Sequence, residues 1–202
     1  MRVHLLRHGE TEGGARYCGG IDVALSWKGW RQMRAAVAGQ SWDLIVSSPL
    51  RRCAAFAQAL ARILGARCRF DADWREMSFG EWEGRSANEL LEIDGERLRR
   101  FWNDPAELSP PGGEPLTQLH SRVMAAWQGI VKDPESGRVL IVTHGGPIRV
   151  LRAVQSGLAL SALLSIDVPH AALVSIESTF DQGAAPGPSP RHAPRLKRET
   201  LA

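Results

Sequence analysis

Short runs of aliphatic residues alternate along this chain with longer stretches whose apolar positions recur at helical spacing. That alternation predicts βαβ units on a mostly parallel sheet. "RVHLLR" near the N-terminus reads as the first strand and "DLIVSS", residues 43 to 48, as the second. The helix after it, "SPLRRCAAFAQALARILG", carries a serine as cap, a proline at its first position and Gly65 as its stop. "RVLIVTHGGPIRVLRAV" repeats the design, with a buried strand over Val139–Thr143 and a helix beginning near Pro147. A last strand is expected over about 172 to 178. Two further helices, about 86 to 102 and 116 to 131, flank the Pro/Gly-rich segment "NDPAELSPPGGEP", whose length suits a binding loop. From about Asp181 the chain becomes rich in proline and glycine with little to bury, which predicts a disordered tail over 181–202 behind a domain of residues 1–180.

Polar residues with chemistry to offer cluster at the ends of these strands. Arg7 and His8 end the first, Ser47 to Arg52 follow the second, and His144 with Gly145 and Gly146 ends the third. In an open parallel sheet the carboxyl ends of the strands border the ligand crevice, so these residues are expected to converge. Arg52 falls in a first helical turn, where free amides and the helix dipole favour an anion. Two arginines and two histidines about one point describe a phosphate pocket. Among those cations His8 is expected to stay neutral, with a ring nitrogen free to attack phosphorus. The acid for the departing oxygen is sought in "WREMSFGEWEG", which offers Glu76, Glu81 and Glu83.

Composition narrows the alternatives. The formal net charge is +3, and residues 182 to 202 supply all of it, so residues 1 to 181 are neutral and lack the basic footprint of a nucleic-acid binder. Arginine outnumbers lysine 22 to three among the 25 basic residues, and its planar fork suits phosphate and carboxylate. Three cysteines without C-x-x-C spacing support neither a disulfide framework nor structural zinc, which fits a reducing, cytoplasmic setting. No stretch has the length and apolarity of a signal peptide or a membrane span. Neither metal nor cofactor is expected.

Four motifs, "LLRHGET", "SSPLRRCAAFA", "REMSFGEWEG" and "VTHGGPIRVL", together resemble the histidine phosphatase superfamily, and the resemblance runs in order through residues 1 to 180. It implies the phosphoglycerate-mutase-like fold, a three-layer α/β/α sandwich with a mostly parallel central sheet. It also implies that His8 is the nucleophile that becomes phosphorylated, that Arg7, Arg52 and His144 form the phosphate pocket, that Glu76 is the proton donor, and that Thr11 and Gly145 bind near the phosphate. Phe56 stands where the family usually has threonine, and Trp74 where leucine is common. Within the superfamily the chain is most similar to the α-ribazole phosphatases. The implied function is a metal-independent phosphomonoesterase removing the 5′-phosphate of α-ribazole 5′-phosphate in cobalamin assembly. A broad-specificity sugar phosphatase is the alternative, and a mutase a more distant one. A flat benzimidazole would favour stacking on aromatic residues, for which Tyr17, Trp74, Trp82 and Trp102 are candidates, with Glu114 for sugar hydroxyls.

Overall fold

The computed structural model describes residues 2–133 and 137–177. The expected tail from Asp181 lies outside them. Five strands form one sheet: β1 (Arg2–Arg7), β2 (Leu44–Ser47), β3 (Arg67–Phe70), β4 (Val139–Thr143) and β5 (Leu173–Glu177). Their order is β3-β2-β4-β1-β5, with β5 antiparallel to β1 and every other pairing parallel. β3 was not foreseen, because "RCRF" offers no apolar run and all four residues are exposed.

The helices are α1 (Trp27–Ala36), α2 (Arg51–Leu64), α3 (Ala87–Asn103), α4 (Leu116–Val131) and α5 (Gly145–Gln155). α1 also went unforeseen, although Ser26 caps it by accepting from the Gly29 amide at 3.0 Å. α3 opens on a capping box between Ser86 and Glu89, and kinks at Asp94 where φ is −150°. α2 begins at Arg51, not at the proline. Leu50 is its N-cap without a side-chain bond, and the carboxylate of Asp22 instead accepts from the Arg51 amide at 2.6 Å. Gly65 ends α2 in the left-handed region, φ 66°, as expected.

Because strand side chains alternate between faces, the sheet feeds two cores. Val3, Leu5, Leu44, Val46, Val139 and Ile141 pack with α3, α4 and α5 on one side. Leu6, Ile45, Leu140 and Val142 pack with α1 and α2 on the other. The result is a helix–sheet–helix sandwich. β1 and β4 are adjacent, yet the chain leaves β1 toward β2 and leaves β4 toward β5. That divergence opens a crevice at their carboxyl ends, where Arg7 is in register with Thr143. Among the described residues no helix is long and apolar enough to cross a membrane.

Candidate active site

The crevice brings together the residues the sequence singled out. His8 follows β1, its amide bonded to the Thr143 carbonyl at 2.9 Å, and His144 follows β4. Their rings meet edge to face with centroids 5.2 Å apart. His8 is 8% exposed, while Arg52 and His144 are 0% exposed. His8 Nδ1 lies 2.8 Å from the carbonyl of Gly9, an acceptor only, so Nδ1 carries the proton and Nε2 keeps its lone pair. The His8 pKa is lowered to about 3, chiefly by burial, with Arg52, Arg7 and His170 contributing in the same direction. The arginines were expected to be the main cause; loss of water around the ring outweighs them.

Arg52 is a hub. Its Nη1 donates to the Ile21 carbonyl at 2.8 Å, its Nη2 to those of Cys18 at 2.8 Å and Gly19 at 3.0 Å, and its Nε to His144 Nδ1 at 3.2 Å. An arginine only donates, so His144 Nδ1 accepts, and Nε2–H is left to donate to Ser48 Oγ at 2.8 Å. His144 thus has both nitrogens partnered within the protein and aligns Arg52. Burial is also the chief reason that its pKa lies well below the ordinary histidine value. Cys53 packs beneath it, Sγ 3.6 Å from Nε2, and burial pushes that thiol upward, away from nucleophilic use.

The loop that embraces Arg52 is itself held by an anion. Glu83 accepts from the amides of Gly20 at 2.8 Å, Phe79 at 2.9 Å, Gly19 at 3.0 Å and Ile21 at 3.3 Å. The loop's amides face Glu83 and its carbonyls face Arg52, so its peptide dipoles bridge two opposite charges. Gly19 must be glycine, since a Cβ there would overlap the Met77 carbonyl oxygen. Glu83, one of three acids considered, is therefore an anchor. Of the three, Glu76 lies at the crevice: its Oε1 accepts from the amides of Met77 and Gly146, both at 3.0 Å, the second in the first turn of α5.

Arg7 donates through Nη1 to the Val168 carbonyl, whereas its buried Nε has no partner in the protein. A Cβ on Gly145 would stand 3.7 Å from that Nε. A buried donor without an acceptor is costly, and this one lies beside Gly145, against which the Arg149 guanidinium also packs. Desolvation lowers the Arg7 pKa, with nearby Glu76 opposing the shift. Thr11, on the loop after β1, is tied by an isolated bridge to Leu25.

The expected substrate-binding residues divide. Tyr17 and Trp102 are joined by a 2.9 Å bond from Trp102 Nε1 to the Tyr17 hydroxyl, and with Phe79 and Phe101 they line an apolar cavity of about 160 Å³ that reaches Glu76 and Arg149. Trp74 and Trp82, by contrast, are core residues, 0% and 3% exposed. Phe56 packs on Trp30 in the core between α1 and α2. Glu114 lines a polar cleft and is also tied to a neighbouring cation. It grips Arg122 in a two-pronged ion pair, 2.7 and 2.8 Å, and Arg122 in turn donates to the carbonyls of Asp73, Arg75 and Glu76. The pair holds in place the segment that presents Glu76. The polar cleft, of about 610 Å³, lies on that side, lined also by Arg75, Ser78, Gln118 and Glu76. Arg122 carries no sequence signal beyond other surface charges, and Glu83 was considered only as an acid, so their anchoring roles emerge from packing. Among the described residues no group of three or more His, Cys, Asp or Glu is placed to hold a metal.

The model of the histidine phosphatase superfamily (branch 1) matches residues 3–185. The chain belongs to this superfamily. Among its relatives is the bifunctional protein Rv2228c of Mycobacterium tuberculosis, 35% identical over 192 residues; the alignment takes in 91% of this chain but 52% of that protein, so the chain spans about half the length of the curated relative. Two solved structures are similar. The mycobacterial glucosyl-3-phosphoglycerate phosphatase Rv2419c is 28% identical with a TM-score of 0.76, covering 87% of this chain and 89% of that one. The α-ribazole phosphatase of Shigella flexneri is 26% identical with a TM-score of 0.77, covering 88% and 90%.

In a histidine phosphatase built this way, the position of Glu76 depends on Gly146. A Cβ at Gly146 would overlap Glu76 Oε1 and stand 3.3 Å from Leu119 Cδ2. Gly146→Ala is expected to displace the carboxylate and lower kcat by about 10²-fold, the scale of a misplaced catalytic group. Steady-state kinetics, with thermal melting to confirm a folded protein, check this; an unchanged kcat would show that the contact is slack.

Proposed function

We propose that the chain is a phosphomonoesterase that passes its substrate's phosphoryl group first to His8 and then to water. The observation that carries this reading is the pairing of His8 Nε2, a free lone pair on a buried neutral ring, with the unpartnered Nε of Arg7. Nε2 attacks phosphorus; the P–N bond forms as the ester P–O bond breaks, and Glu76 gives a proton to the departing oxygen. Arg7 and Arg52 balance the charge on the other phosphoryl oxygens. Glu76, now ionised, then takes a proton from water, whose oxygen bonds to phosphorus as the P–N bond breaks. Phosphate leaves and His8 is restored.

α-Ribazole 5′-phosphate is the substrate we favour. The apolar cavity beside Glu76 offers Tyr17, Phe79 and Trp102 to a flat ring, and the polar cleft offers hydrogen-bonding groups to a ribose. The likeness to the Shigella enzyme supports the same choice. A broad-specificity sugar phosphatase shares this machinery and differs in the cavity's selectivity; a mutase would return the phosphoryl group to its substrate. The test is phosphate release, in chelator, from α-ribazole 5′-phosphate, simple sugar phosphates and 3-phosphoglycerate. The expected outcome is the highest kcat/KM for α-ribazole 5′-phosphate, with Trp102→Ala raising KM for that ester alone. Equal efficiency across the panel would remove the α-ribazole assignment, and isomerisation of phosphoglycerate faster than phosphate release would replace hydrolase by mutase.

A further inference from the structure

We propose that His170, to which no part of the motif pattern assigns a role, is a further catalytic residue whose ring hydrogen-bonds the phosphoryl group as it passes to and from His8. This rests on the phosphohistidine reading above. His170 lies in the tight turn Pro169–Ala172, just before β5, closed by the Ala172 amide on the Pro169 carbonyl at 3.1 Å. The next residue, Ala171, has φ 58°, the left-handed conformation that a turn of this kind usually gives to glycine. A side chain held there is strained, and such strain persists where surrounding structure over-determines the backbone. The determinant is visible. The Ala171 amide donates to the carbonyl of His8 itself at 3.2 Å, and the Arg7 amide to the Ala172 carbonyl at 3.0 Å. The turn is thus clamped to the two residues that do the chemistry.

The clamp sets the His170 ring against His8, centroids 5.6 Å apart and planes inclined at 44°. Unlike His144, which meets His8 from within the core, His170 is exposed, and its ring has no hydrogen-bond partner among the described residues. A group added to His8 Nε2 would find an uncommitted imidazole beside it. The charges facing His170 come from three elements: Arg7 on β1, Glu10 on the loop after β1, and Lys28 on α1. Desolvation and Arg7 hold its pKa down to about 4, so at neutral pH the ring is uncharged and keeps one N–H to donate. A neutral donor adds a hydrogen bond to phosphate without adding a third cation against His8.

The experiment is rapid-quench kinetics with p-nitrophenyl phosphate on the full chain, comparing wild type with His170→Ala, His170→Gln and His170→Leu. Acid-labile phosphoryl transfer to wild-type His8 is measured first. Its absence would overturn the phosphohistidine reading, and this inference with it, whatever the variants do. Where it is present, His170→Ala is expected to slow phosphorylation by roughly 10-fold to 100-fold, the worth of one hydrogen bond to a charged group. Gln, which retains an N–H donor, should restore most of the rate, and Leu, which retains only bulk, should not. Rescue by Leu would reduce His170 to packing, and an unchanged rate in His170→Ala would overturn the inference while leaving the phosphohistidine reading intact.

Discussion

Replacing His8 by alanine is expected to reduce turnover of every phosphate ester by roughly 10³-fold or more, because the nucleophile itself is lost. Of the two imidazoles beside its ring, His144 has both nitrogens partnered, by Arg52 and Ser48, and His170 is the group proposed to donate to the phosphoryl oxygens. Phosphate binding should persist, since Arg7 and Arg52 remain. The loss should therefore fall on kcat and on formation of the acid-labile phosphoenzyme, while inhibition by inorganic phosphate changes little. Steady-state kinetics with phosphate as inhibitor separate these effects. A His8→Ala protein that retained even a tenth of wild-type turnover would require another nucleophile and would end the mechanism.

Glu76→Gln should show a dependence on the leaving group. The glutamine carbonyl can still accept from the Met77 and Gly146 amides, so the geometry is kept while the transferable proton is lost. For alkyl esters such as sugar phosphates, whose departing oxygen is strongly basic, the rate should fall by about 10²- to 10⁴-fold. For p-nitrophenyl phosphate, which leaves without a proton, phosphorylation should change far less. Glu83→Gln is the useful contrast. It disturbs the loop around Arg52, and its effect should fall on both classes of ester alike. Equal losses for the two classes in Glu76→Gln would show that Glu76 is not the acid.

Much of this was legible in the sequence because it is encoded by local pattern. The strands at residues 2–7, 44–47 and 139–143 are aliphatic runs that end in polar residues, and a parallel sheet brings such ends together whatever the loops do. Arg7, His8, Arg52, Glu76 and His144 could be named from that rule together with the motif resemblance. What could not be read depends on contacts between distant segments. β3 carries arginine at alternate positions where a recognisable strand carries valine. Glu83 reads in sequence as a candidate acid and Glu114 as a ligand for sugar hydroxyls; only the fold shows the loop that one anchors and the Arg122 that the other pairs with. His170 follows a proline in a short loop, and only the antiparallel return of β5 beside β1 sets it against His8. Trp74 and Trp82 mislead in the opposite direction, since stacking aromatics and core aromatics look alike in sequence.

The exposed strand β3 matters beyond its missing pattern. Among the described residues it stands at one edge of the sheet, bonded to β2, and an edge is where a strand of another molecule would approach. Arg67 and Arg69 alternate with Cys68 and Phe70 along that border. Two copies meeting there would bring rows of guanidinium groups together, and like charges opposed across a strand pair repel. The same arginines that hide the strand from recognition also guard the sheet against growing edge to edge into an aggregate.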